Sequence, residues 1–119
     1  LYATALGKCL LLSHTDDEIV RLFDDVEMER RTDKTITTIK GLLSDVARAR
    51  RDGYAFDEGE NEQGIYCVGA PIYDYRGRVI AALSTSVGDR VIVHQPETLA
   101  RIKETALSIS KAMGYHKEL

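Results

Sequence analysis

The sequence predicts an α+β fold. Two helical periodicities and one hairpin pattern carry that expectation. Ile39, Leu42, Leu43 and Val46 follow the i, i+3, i+4, i+7 spacing of an amphipathic helix. Leu99, Ile102, Ala106, Ile109 and Met113 step by 3, 4, 3 and 4 residues, one apolar face of a longer helix. Between them, Ile65 to Tyr73 and Arg78 to Val87 are rich in strand formers. They flank Asp74-Tyr75-Arg76-Gly77, a four-residue turn with Gly last.

The elements follow in order. Thr4 to Ser13 reads as a helix with Thr4 as its N-cap, whose side chain can accept from first-turn amides. Thr15 and Glu18 match a capping box and open a short helix to about Phe23. Asp24 to Lys34 is polar, mixed in charge and read as loop. The helix of Ile39 should span Thr37 to Asp52 and stop at Gly53, a left-handed terminator. Arg48, Arg50 and Arg51 fall in its last turns, where cations complement the negative end of the dipole. Tyr54 to Phe56 is a short strand, followed by an acidic loop, Asp57 to Gln63. That loop lacks the order of a calcium-binding EF-hand and is read as solvated. Asp57, next to the strand, could face a pocket. After the hairpin a connection leads to Pro96, a suitable first helical position, and the last helix ends at Gly114.

Composition narrows the function. The 119 residues fit one domain, with 44% hydrophobic and 29% charged residues. Net charge is −3, which argues against a nucleic-acid surface on this segment. Cys9 and Cys67 match no metal or disulfide framework, and two such thiols fit a reducing cytoplasm. No apolar stretch has the length of a membrane span. His14, His94 and His116 form no HExxH, and GxSxG, Walker A and GxGxxG are absent. No cofactor and no metal are expected.

The hairpin carries the candidate site. If Tyr73 pairs with Arg78, then Cys67 lies opposite Ser84 and Ile65 opposite Ser86. Opposed residues share one face of a sheet, and so do residues two apart. The other face of the second strand, with Val79, Ala81, Leu83 and Val87, is core. The Cys67/Ser84/Ser86 face is either a half-polar ligand pocket or a solvent-facing surface. A nucleophilic role for Cys67 stays open on these residues. The start of the first helix offers free amides to an anion, a weak signal by itself.

Four segments in order resemble one family. Leu1-Tyr2-Ala3-Thr4-Ala5-Leu6-Gly7-Lys8 is similar to the LHATALGKA stretch of the IclR-type bacterial transcriptional regulators. Gly53-Tyr54-Ala55-Phe56-Asp57 resembles their GYAxD segment. Gly64 to Asp74 resembles GxxCxAAPxxD, and Arg76 to Ser86 resembles RGxVxAALSxS. The resemblance covers nearly the whole chain. It implies the C-terminal effector-binding domain over residues 1–119, GAF-like, with a curved antiparallel sheet flanked by helices on both sides. It implies a small organic acid as effector, a dimer or tetramer, and DNA contact only through a helix-turn-helix domain outside these residues. It assigns the effector's carboxylate to the amides of Ala5 and Leu6, its other polar contacts to Asp57, Cys67, Ser84 and Ser86, and an apolar wall to Ile65. The family's domain starts with a helix and strands before the ATALGK segment, so the domain is expected to be incomplete on its N-terminal side. The competing expectations are an enzyme with Cys67 as nucleophile and a dimerisation module with a vestigial pocket.

Overall fold

A computed structural model describes residues 2–116. Helix α1 (Ala5–Leu10) begins at Thr4, whose side chain accepts from the Gly7 amide at 3.0 Å. Helix α2 (Asp16–Leu22) opens with the expected capping box of Thr15 and Glu18. Helix α3 (Ile39–Asp52) is capped by Thr38 and ends at Gly53, which takes the left-handed φ of 86°. Strands β1 (Ala55–Glu58), β2 (Tyr66–Tyr73) and β3 (Val79–Val87) form one antiparallel sheet in the order β1-β2-β3. A one-turn helix α4 (Arg90–Val93) starts from an Asp89 cap and precedes α5 (Pro96–Ala112). Four residues are too few to show a helical period, so the sequence gives no sign of α4 beyond Asp89 itself.

Helices cover both faces of the sheet. On one face Val68, Ala70 and Ile72 of β2 pack with Val93, Ile102 and Ala106. On the other, Ala55 and Ala82 pack with Cys9 of α1 and Ala49 of α3. Beyond them Leu11, Ile19, Leu42 and Val46 join α2 and α3 to the end of α1. Of the three arginines ending α3, Arg50 serves this packing: its guanidinium donates to the carbonyl oxygens of Leu12 and His14 and to Asp16, while Arg48 and Arg51 pair with Asp45 and Asp52 of their own helix.

The hairpin register differs from the expected one. The turn is longer: the Asp74 amide donates to the Arg78 carbonyl at 2.9 Å, so Tyr73 pairs with Val79. Asp74 organises it by accepting from the amides of Arg76 and Arg78, and Gly77 takes a φ of 78°. A bulge at Ile80 adds a second step, and Ile72 pairs with Ala81. Cys67 therefore opposes Ser86, and Gly69 opposes Ser84. The two steps together preserve parity, so Cys67, Ser84 and Ser86 still share a face. Val79 is the exception: the bulge sets it opposite Tyr73, out of line with Ala81 and Leu83.

The apolar stripe of α5 also bends away from the expected line. Ile102, Ala106 and Ser110 are buried, whereas Ile109 and Met113 are exposed. Ser110 is buried because its hydroxyl accepts from the Tyr73 amide at 2.9 Å and donates to the Ala106 carbonyl at 2.8 Å. The Tyr73 amide points away from β3, past the end of β1. Pro71, two residues earlier, directs its nitrogen the same way, where a missing N–H breaks no ladder bond.

Candidate functional site

The α1-facing side of the sheet brings most of the expected residues together. Asp57 of β1 is directly opposed to Cys67 of β2, and Cys67 to Ser86 of β3. These three polar side chains form one row across the sheet. Cys67 Sγ and Ser86 Oγ are 3.1 Å apart, a hydrogen-bond distance for a thiol and a hydroxyl. The next row is Ala55, Gly69 and Ser84.

The start of α1 lies on that second row. A Cβ added to Gly69 would stand 3.3 Å from the carbonyl carbon, carbonyl oxygen and Cβ of Ala5. Ala5 is buried there, while Leu6 turns its side chain outward, 41% exposed. Among the described residues no acceptor takes the amide of Ala5 or of Leu6.

Ile65 stands apart from this arrangement. It precedes β2, pairs with no residue of β3 and is exposed. The expected Ile65–Ser86 pair is replaced by Cys67–Ser86, because the longer turn and the bulge move β3 along by two residues.

Asp57 lies within β1 rather than after it, and it is 3% exposed. Its Oδ1 accepts from the amides of Glu60 at 2.8 Å and Asn61 at 3.4 Å. Burial pushes its carboxyl above the usual carboxylate range, against the pull of those two amides and of the Lys8 charge. The acidic loop is not freely solvated. Glu60 is buried, and burial raises its carboxyl despite the neighbouring Lys8 ammonium.

Lys8 is the functional candidate that the sequence reading missed. It is wholly buried, and its Nζ lies 2.6 Å from Asp45 Oδ2 and 2.7 Å from both Glu60 Oε1 and the Phe56 carbonyl oxygen. A signal was present: Ala5, Lys8, Cys9 and Leu12 have the spacing of one helix face, and a lysine among them needs a buried partner. Cys9, on the same face, is a packing residue whose thiol burial pushes up to about 12.

At the far end of β1, Glu58 receives His94 Nε2 at 2.5 Å and Arg90 Nε at 3.1 Å. Burial raises the Glu58 carboxyl, but these two partners outweigh it and hold it below its ordinary value. A cavity of about 490 Å³ lies elsewhere, between the end of α3, the uncovered end of β2 and α5. Among the described residues no group of three or more His, Cys, Asp or Glu side chains could hold a metal ion. No described helix is long and apolar enough to cross a membrane.

The family model for the C-terminal part of the bacterial transcriptional regulator IclR matches residues 1–111. The chain belongs to the IclR family. Its IclR-type relatives include the HTH-type transcriptional regulator KdgR of Escherichia coli K12, 38% identical over 118 residues, spanning 98% of this chain and 45% of that protein. The chain thus spans about half the length of the curated relatives it matches. The crystal structure of the C-terminal domain of E. coli KdgR superposes with a TM-score of 0.86 at 36% identity, covering 96% of this chain and 71% of that one. The inducer-binding domain of a PobR double mutant from Acinetobacter, in complex with 3-hydroxybenzoic acid, superposes with a TM-score of 0.75 at 27% identity, covering 92% of this chain and 64% of that one. The curated relatives named for this family are transcription regulators and repressors, not enzymes, so the comparisons favour the regulatory expectation over an enzyme with Cys67 as nucleophile. The α+β expectation, with helices on both faces of an antiparallel sheet, agrees with the fold and with these neighbours.

Proposed function

We propose that residues 1–119 form the ligand-sensing domain of an IclR-type regulator, and that its effector is a small organic acid. The observation that carries this reading is the row Asp57–Cys67–Ser86 beside the start of α1, which rests on the neighbouring row at Gly69. The effector's carboxylate takes the amides of Ala5 and Leu6. Its other polar end meets Cys67, Ser84 and Ser86, which can donate as well as accept. Asp57 offers its second oxygen beside Cys67. Ile65 closes the apolar side only if its loop moves inward from its exposed position. The acid recorded in the PobR domain supports the chemical class.

The effector acts by binding one assembly state of a homodimer or tetramer more tightly than another. That shift alters operator binding by a helix-turn-helix domain outside these residues, in the cytoplasm. Exposed apolar side chains, among them Leu6, Leu10 and Ile80, support self-association. The negative net charge supports DNA contact through another domain.

The test is calorimetry of the full-length protein with pyruvate, lactate and 3-hydroxybenzoate, followed by a mobility-shift assay with operator DNA. Saturable binding of one acid that changes the shift is expected. Normal assembly with no binding to any of the three would favour a dimerisation module with a vestigial pocket.

A further inference from the structure

The buried lysine of α1 has no part in the ligand contacts proposed above. An ammonium has three N–H donors, and Lys8 gives them to Asp45, Glu60 and the Phe56 carbonyl. Those acceptors belong to α3, the β1–β2 loop and β1. Glu60 is held further: its Oε2 accepts from the Glu58 amide at 3.1 Å, and its carbonyl accepts from the Thr35 hydroxyl. Its own amide donates to Asp57 Oδ1 at 2.8 Å. Asp57 thus takes its position from a residue that Lys8 anchors. Stability alone is a poor reason for this arrangement, because apolar side chains of similar volume commonly replace buried ion pairs without loss. What an apolar residue could not supply is a fixed orientation of the loop that carries the Glu60 amide.

We infer that Lys8 is a positioning residue for the effector site, acting through Glu60 to set the Asp57 carboxylate beside Cys67. This inference rests on the proposed reading of that site. Lys8→Met alone strands Glu60 as a buried charge, leaves half-buried Asp45 with Arg48 alone, and can prevent folding. The informative variant is therefore Lys8→Met combined with Asp45→Asn and Glu60→Gln, made in the full-length protein. The probe is whichever of pyruvate, lactate or 3-hydroxybenzoate the wild type binds. With folding confirmed by circular dichroism, the triple variant is expected to bind that acid at least tenfold more weakly. The same triple change is expected to cost less than threefold when Asp57→Ala is already present, because a positioned group that is gone cannot be lost twice. A purely structural role for Lys8 would give the same loss in both backgrounds, and that result overturns the inference. Unchanged binding by the folded triple variant also overturns it while leaving the site reading intact. Failure of the wild type to bind any of the three acids overturns the site reading, and this inference with it.

Discussion

Ala5 rests on Gly69, so closely that a side chain at position 69 would stand 3.3 Å from the helix backbone. A hydrogen atom at this position lets α1 lie against the sheet beside the Asp57–Cys67–Ser86 row. Gly69→Val should lift the start of α1 off the sheet. Expected outcomes are a lower urea midpoint, and effector affinity reduced by more than the stability change explains. An unchanged affinity in a folded Gly69→Val protein would show that the α1 amides do not contact the ligand.

Ser84 and Ser86 should matter as hydrogen-bonding groups. Replacing both with alanine leaves ligand donors or acceptors unpaired, about 1–3 kcal/mol each in a dry site. That is roughly 5- to 150-fold in affinity per lost bond. Calorimetry of the double variant checks this; a folded variant with wild-type affinity means that the ligand lies elsewhere.

Asp57 predicts a pH effect on stability. Its carboxyl is raised by burial, so folding favours the protonated form. The stability it contributes is full below the ordinary carboxylate value of about 4 and is lost as pH rises through the raised folded value. Asp57→Asn cannot ionise but still offers an oxygen to the Glu60 amide. The stability of Asp57→Asn relative to wild type should therefore improve as pH climbs above about 4. Glu58 runs the other way, its contribution fading as pH falls through its lowered value. It is present in both proteins and cancels in the difference. Urea unfolding at a series of pH values reads that difference; a flat line would show that Asp57 is not held by burial.

Ser110 should matter more to stability than Met113. Ser110→Ala leaves the part-buried Tyr73 amide without its acceptor, a loss of about 1 kcal/mol or more. Met113 is 49% exposed, and its replacement by alanine should fall within about 0.5 kcal/mol. Urea unfolding of the two single variants orders them; the reverse order would mean that the helix face is set by the apolar periodicity after all.

Much of this protein is legible in the sequence. Thr4, Thr15 and Gly53 mark helix ends because capping depends on residues within one turn of each other. The strands of the hairpin follow from local composition. The shared face of Cys67, Ser84 and Ser86 was expected as well, though it survived because two register shifts happen to preserve parity. Other features depend on long-range partners. Nothing local signals that Ile80 bulges out or that the Tyr73 amide needs Ser110, 37 residues away. The acidic loop looks solvated until Lys8, 52 residues before Glu60, is placed beneath it. By itself, then, the sequence determined which segments are helix or strand, where they end and which family they resemble, because these depend on neighbours along the chain. Only the tertiary structure decided the strand register, the burial of Ser110 and the ion pairs of Lys8, because a buried polar group is specified by the partner that satisfies it.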